Sequence, residues 1–255
     1  MKAVILAGGL GTRISEESHL KPKPMIEIGS LPILVHIMNI YSSFGINDFI
    51  ICAGYKSYYI KEYFNNFMLH NSDCFFDLES NNLKLVNSNQ HNWKISVIDT
   101  GINTMTGGRV KRIKDYIDDE HFFMTYGDGV SDVNIQALQE FHIQHGGIGT
   151  VTAVNPPARY GALEIDGSKI TAFREKNQSD ESRINGGFFV LNKEIFDYIE
   201  GDETFFEQEP LETLAKKGEL HAFIHNGFWA SMDTLRDKEY LNSLITSGEA
   251  PWIRE

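Results

Sequence analysis

The densest chemistry in this chain stands at its start. Lys2-Ala-Val-Ile-Leu-Ala-Gly8-Gly9-Leu-Gly11-Thr12-Arg13 is followed by Lys21-Pro-Lys23-Pro24-Met25. Glycines let backbone N–H groups approach an anion closely, with no Cβ in the way. A hydroxyl, a guanidinium and two lysines then fall within one short loop, which is the composition of a polyphosphate cradle. It is not a P-loop, because no Lys-Ser/Thr pair follows the glycines. Nor is it the dinucleotide fingerprint G-x-G-x-x-G: counted from Gly9, the last slot holds Ile14. Arg13 suits bidentate capture of a terminal phosphate. Prolines on both sides of Lys23 stiffen its approach.

Two acids recur far down the chain. Tyr126-Gly127-Asp128-Gly129 places a carboxylate at a strand end between glycines, where an acid commonly holds a divalent cation against a nucleotide. On its own Asp128 reads sooner as a turn or helix-capping aspartate, and it is the second acid that favours a cation. Phe228-Trp229-Ala-Ser-Met-Asp233-Thr-Leu-Arg236 presents the second acid, just before a helical C-terminal segment that Asp233 is also placed to cap. Two carboxylates can fix one Mg²⁺, which neutralises a phosphate under attack. Between them, Phe173-Arg174-Glu175-Lys176 sets an acid beside a base at a strand end, and Asn185-Gly186-Gly187 begins the next strand. Glu175 suits sugar hydroxyls and Lys176 a sugar phosphate, with a surface ion pair as the plain alternative. His142 and His145 lack a third ligand nearby in sequence and read as surface residues. No G-x-S-x-G elbow or Cys-His signature points to covalent catalysis.

The elements that must position these residues are legible in the apolar runs. Ala3 to Ala7 has the length of a buried strand and feeds the glycine turn. Pro32 opens a helix that Gly45 closes, and Phe49 to Ala53 reads as a second strand. Ile60, Tyr63, Phe64, Phe67 and Met68 mark an amphipathic helix. Residues 71 to 92 are polar and Asn-rich, an excursion from the main sheet. Trp93 to Asp99 and Phe122 to Tyr126 are the third and fourth strands. This alternation predicts an α/β fold: a Rossmann-like, mostly parallel sheet flanked by helices over residues 1–145. Gly149 to Val154, Gly161 to Ile165, Lys169 to Glu175 and Ile184 to Leu191 follow at short spacing and predict a smaller mixed or antiparallel region. Ligands of such sheets sit at the carboxyl ends of the strands, where the glycine turn and Asp128 both fall.

Composition narrows the ligand. With 255 residues and 42% hydrophobic content, the chain can bury one substantial core. A net charge of −12 and the lack of a basic arm argue against a nucleic-acid footprint. The positive charges cluster locally at Arg13, Lys21 and Lys23, then at Arg109, Lys111, Arg112 and Lys114, which fits a small anionic ligand. The run 111–114 reads as a solvated helix face. Cys52 and Cys74 have no metal or redox spacing, and Cys52 lies in an apolar run as a core residue. With no signal peptide and no membrane-length apolar stretch, the expected compartment is the cytoplasm, with no membrane partner.

Taken in order, Leu6 to Arg13, Lys21 to Met25, Tyr126 to Asp132, Glu175-Lys176, Ile184 to Val190 and Met232 to Asp237 resemble the landmarks of the sugar-phosphate nucleotidyltransferases. The resemblance runs from Met1 to the Ala250-Pro-Trp252 tail. Thr104 to Arg109, Glu207 to Glu212 and Met232 to Lys238 are similar to the cytidylyl branch of that family. The resemblance implies a single nucleotidyltransferase domain over 1–255, with a nucleotide-binding part (1–145), a sugar-phosphate-binding part (146–232) and a C-terminal helical tail (233–255). It implies cytidylyl transfer from CTP to α-D-glucose 1-phosphate, giving CDP-glucose and pyrophosphate, as supply for O-antigen lipopolysaccharide. It implies nucleotide contacts at Leu6, Ala7, Gly8, Gly9, Gly11, Thr12, Arg13, Lys23, Thr104, Arg109 and Asp128. Sugar-phosphate contacts are implied at Tyr126, Gly127, Glu175, Lys176, Asn185 and Gly186, and Mg²⁺ ligands at Asp128 and Asp233. Arg13, Lys23, Asp128 and Asp233 are the implied catalytic set, in a homo-oligomer. Ala230-Ser231 stands where the family has Gln-Pro, and Asn177 and Arg183 stand where it has Pro and Trp, which bears on the shape of the sugar pocket. Uridylyl or thymidylyl transfer is the alternative within the class. A non-catalytic sugar-nucleotide-binding subunit is the alternative outside it, and its mark would be loss of the acids or Lys23, all of which are present. A glycosyltransferase normally needs D-x-D, and Asp128 is followed by Gly129-Val130.

Overall fold

The computed structural model describes residues 1–86, 91–155, 161–166, 169–175 and 183–254; for residues 13, 15, 16, 161–166 and 169–175 the description is of the backbone. The first half runs β1 (Ala3–Ala7), α1 (Ser15–Ser18), β2 (Glu27–Ile28), β3 (Leu31–Pro32), α2 (Ile33–Ser42), β4 (Asp48–Ala53), α3 (Ser57–Asn65) and α4 (Phe67–His70). It continues through β5 (Asp73–Asp77), β6 (Asn82–Val86), β7 (Lys94–Asp99), α5 (Thr106–Arg112), β8 (His121–Tyr126), β9 (Gly129–Ser131) and α6 (Ile135–His145). The second half runs β10 (Gly149–Val154), β11 (Gly161–Asp166), β12 (Lys169–Glu175), β13 (Ile184–Asn192), α7 (Glu209–Lys217), β14 (Leu220–His225), β15 (Trp229–Ser231) and α8 (Leu235–Ser247).

A seven-stranded sheet in the order β14-β10-β13-β8-β1-β4-β7 forms the middle layer. Every residue of β1 is buried, as its unbroken apolar run requires of a strand covered on both faces. Side chains alternate across it with period two. Ala3, Ile5 and Ala7 join a core with Ile37, Met38 and Tyr41 of α2, while Val4 and Leu6 join a second core with Val110 of α5 and Phe196. The sheet is parallel at β7-β4-β1-β8 and at β10-β14, and only β13 runs against its neighbours, β8 and β10. The expected mixed region is therefore largely built into this one sheet, because β10, β13 and β14 extend it. Among the described residues, the separate antiparallel piece there is the β11–β12 hairpin. The described part of the expected excursion, β5 and β6, forms a separate antiparallel hairpin outside the main sheet. No helix among the described residues is long and apolar enough to cross a membrane.

Register fixes the site. Leu6 stands opposite Tyr126 and Ala7 opposite Ala53, so the carboxyl ends of β1, β8 and β4 come out together. Since β13 is antiparallel to β8, with Phe189 opposite Met124, its amino end at Asn185 emerges at the same place.

Two surface expectations are overturned. His142 is buried, not exposed: α6 lies on β10 and β13, and the imidazole bonds Thr150 Oγ1 (2.9 Å) and Asn192 Oδ1 (2.7 Å). His145 bonds the same Thr150 hydroxyl at 2.7 Å and stacks on His221. Burial, with His221 and His142 alongside, pushes His145 down to about 4. Lys111 is not on a solvated face either. Its ammonium donates to the carbonyls of Phe196 (2.9 Å) and Ile199 (2.6 Å), groups left over at the end of a short 3₁₀ helix.

Candidate active site

The glycine turn is tight because Arg109 packs against it. A Cβ on Gly8 would lie 2.1 Å from Nη1 of Arg109, and Gly11 has φ +67°, which disfavours any side chain. Arg109 sits directly beneath this turn, 4% exposed. Its guanidinium donates to Thr100 Oγ1 (2.8 Å) and to the carbonyls of Gly101 (2.7 Å) and Ile102 (3.3 Å). Desolvation holds its pKa below the ordinary arginine value. It is thus a buried cation that props the segment carrying Thr104 against the end of β1. The backbone of Arg13 lies in a 3₁₀ turn, Thr12–Ile14, just beyond the glycines.

Lys23 is delivered by a second 3₁₀ turn, Lys23–Met25, whose Pro24 and Met25 are buried. Its Nζ donates to Asp128 Oδ2 at 2.6 Å and to Asp233 Oδ1 at 2.9 Å. Burial by itself would lower the pKa of this ammonium, but the charge of Asp128, its hydrogen bond and then Asp233 outweigh that and hold it above the ordinary lysine value. The acids are joined by a strand pair that no local pattern announces. Asp128 precedes β9 and Asp233 follows β15, and these strands pair antiparallel with Gly129 opposite Ser231. Met232 N donates to the Asp128 carbonyl at 2.8 Å to close the pairing.

Asp233 does not cap α8. Thr234 does: its hydroxyl accepts from Asp237 N, and the Asp237 carboxylate accepts from Thr234 N, a reciprocal capping box. The Asp233 carboxylate instead meets Lys23 and accepts from Ser231 Oγ at 3.1 Å. Two carboxylates already converge on one cationic nitrogen, so they are close enough to share a cation. The described residues hold no cluster of three or more His, Cys, Asp or Glu side chains suited to a metal. A pair of hard oxygen donors matches Mg²⁺, which is commonly held by one or two carboxylates plus substrate phosphates.

A cavity of about 400 Å³ opens over this arrangement. Leu6, Ala7, Gly8, Gly9, Gly11, Thr12, Lys23, Thr104, Arg109, Tyr126, Gly127, Asp128 and Asp233 line it, so most residues expected from the sequence meet here. Pro24, Met105, Thr106 and Phe205 also line it and were not anticipated, since isolated apolar and hydroxyl side chains carry no distinctive spacing. Asn185 reaches the rim through Tyr126, whose hydroxyl accepts from Nδ2 at 3.2 Å. A bulge in β13 aims it there: its pairing with β10 shifts between Phe189 and Asn185, and Gly187 (φ +73°) and Phe188 (φ +47°) turn left-handed. The Gly186 carbonyl accepts from Trp229 Nε1 at 2.7 Å. Glu175 ends β12, and Lys176 lies outside the described residues.

A family model described as nucleotidyl transferase matches residues 2–237. The chain is 56% identical over 253 residues to a glucose-1-phosphate cytidylyltransferase of Salmonella typhi, covering 99% of this chain and 98% of that one. It is 31% identical to a mannose-1-phosphate guanyltransferase of Aspergillus oryzae, covering 95% of this chain and 63% of that one. Among solved structures, HddC from Yersinia pseudotuberculosis superposes with TM-score 0.70 at 25% identity, covering 96% and 99% of the two chains. The family match over residues 2–237 and 56% identity to the Salmonella protein over nearly the whole of both chains place the chain in the nucleotidyl transferase family, in its glucose-1-phosphate cytidylyltransferase branch.

Proposed function

We propose that the cavity at the carboxyl end of the sheet transfers a cytidylyl group from CTP to α-D-glucose 1-phosphate, releasing pyrophosphate and CDP-glucose. The observation that carries this reading is the convergence of Asp128 and Asp233 on Lys23 beside the glycine turn. A phosphate oxygen of the sugar phosphate attacks the α-phosphorus of CTP, and the bond to the bridging oxygen of the β-phosphate breaks in line. The nucleophile is already anionic near neutral pH, so no general base is needed. The barrier is repulsion between two anions, and alignment plus fixed positive charge lowers it. Backbone N–H groups of Gly8 to Gly11, with Arg13, receive the departing pyrophosphate. Lys23 steadies the phosphate under attack, Lys176 the sugar phosphate, and Glu175, Tyr126 and Asn185-Gly186 the sugar side. Arg109 supports the nucleotide segment from below.

Enzymes of this family generally use a divalent metal. Here Asp128 and Asp233 would hold it, and the hard-oxygen pair favours Mg²⁺, which supplies charge neutralisation at the phosphates. The product serves nucleotide-sugar supply for O-antigen lipopolysaccharide in the cytoplasm. Homo-oligomerisation is supported by the β5–β6 hairpin, which holds Phe76 (63% exposed) and Leu83 out in solvent as a cross-strand pair. Light scattering on Phe76→Asp against the unaltered chain tests it. The activity itself is tested by pyrophosphate release from CTP, UTP, dTTP, ATP and GTP with glucose 1-phosphate. CTP should give the highest kcat/KM, and an equal or higher value with UTP or dTTP would overturn the assignment.

A further inference from the structure

The Glu207–Glu212 run marks the branch in the sequence, yet nothing in the reaction above uses Glu207. It stands exposed in the turn before α7, and both of its carboxylate oxygens are engaged. Oε1 accepts from the Tyr126 hydroxyl at 2.8 Å and Oε2 from the Thr106 hydroxyl at 2.6 Å. Phe206 N donates back to the Thr106 hydroxyl at 2.9 Å, so the turn is pinned to the start of α5. A carboxylate only accepts, which sets the direction of every bond beyond it. Tyr126 must spend its one proton on Glu207, so its oxygen is left to accept, and Asn185 Nδ2 donates to it at 3.2 Å. From the other side Gly187 N, which can only donate, meets Asn185 Oδ1 at 2.8 Å. Two independent constraints therefore orient the same amide. Oδ1 is occupied by the bulge, and among the described residues Nδ2 is bonded to Tyr126 through one of its two N–H groups.

We infer that Glu207 is a positioning residue for the sugar-phosphate side of the site: through Tyr126 it locks Asn185 as a hydrogen-bond donor to an acceptor oxygen of glucose 1-phosphate. The inference rests on the reading of Asn185 as a sugar-phosphate contact. Glutamine at position 207 would offer an amide able to turn toward Tyr126 with its N–H and reverse the chain.

The experiment is steady-state kinetics of the full-length protein with CTP and glucose 1-phosphate, for Glu207→Gln, Tyr126→Phe, the double variant and Asn185→Ala. Glu207→Gln should raise KM for glucose 1-phosphate roughly three- to tenfold, the worth of one misdirected hydrogen bond, and leave KM for CTP unchanged. Tyr126→Phe, which keeps the ring, should match it, and the double variant should be no worse than the larger single effect. An unchanged KM for glucose 1-phosphate in Glu207→Gln, or equal rises for both substrates as a merely structural prop would give, overturns the assignment. If Asn185→Ala raises that KM and Glu207→Gln does not, the role of Glu207 alone falls. If Asn185→Ala is itself silent, the sugar-site reading fails and takes this inference with it.

Discussion

Asp233→Asn separates chemistry from folding at this site. Asparagine keeps the shape of the side chain and removes its charge. Capping of α8 is untouched, because Thr234 and Asp237 perform it. Lys23 is not stranded, since Asp128 still accepts from its ammonium at 2.6 Å. The lost contact is a part-buried one, with side chains 12% and 22% exposed, and one such pair with its neighbour still in place is worth about 1 kcal/mol. Against a typical domain stability of about 5–15 kcal/mol, the variant stays folded at assay temperature. Catalysis should suffer far more. Removing one charged group from a site that works by electrostatics costs about 10²–10³ in rate, or about 3–4 kcal/mol. The assay is pyrophosphate release at saturating CTP and glucose 1-phosphate over a Mg²⁺ titration, beside a thermal melt. The melt should move a few degrees while turnover collapses and the Mg²⁺ requirement rises. Asp128→Asn should behave alike, and the double variant should cost little more than the worse single one, because the acids act as a unit. Turnover above about a tenth of the unaltered rate, with the Mg²⁺ dependence unmoved, would refute a shared cation site.

Gly8→Ala should destabilise the protein by about 1–3 kcal/mol by driving a methyl into the Arg109 guanidinium, whereas Gly9→Ala, with nothing near the added Cβ, should melt like the unaltered chain; equal melting temperatures for the two would show that the turn yields. Lys23→Met should lower turnover by about 10²–10³, and a near-normal rate at saturating substrate would make the lysine a structural tie to the two acids alone. Stability should also fall with acid through the histidines of α6. The folded value for His145 is about 4, against an ordinary value of 6.5, so its contribution is complete above 6.5 and is lost as pH falls from there to 4. That span corresponds to about 3 kcal/mol, which exposure of the ring to solvent discounts to about 1–2 kcal/mol. Denaturation of His145→Gln should show a flatter pH dependence between those limits, and parallel curves for the two proteins would rule the histidine out.

The sequence alone determined what short-range forces determine. The run Ala3 to Ala7 had to be a covered strand and a glycine-rich turn had to follow it, whereas the one loop expected to carry Thr12, Arg13 and Lys23 is two 3₁₀ turns with α1 between them. Parallel order in the first half followed from strand–helix alternation. The capping box of α8 was equally local, yet Asp233 stood one residue too early for the cap, and only the folded helix start assigns that role to Thr234. Tertiary structure decided the rest. Asp128 and Asp233 lie 105 and 210 residues from Lys23, and the pairing of β9 with β15 brings all three together. His142 looked like a surface residue because helix periodicity does not say which neighbour a face will meet: Thr150 comes from the next strand, eight residues on, and Asn192 from a strand fifty residues away. Glu207 reaches Tyr126 across 81 residues for the same reason. Side-chain type and spacing act over a turn or two of chain, whereas which distant segments meet is set by the order and register of a sheet that forms only when the whole core closes.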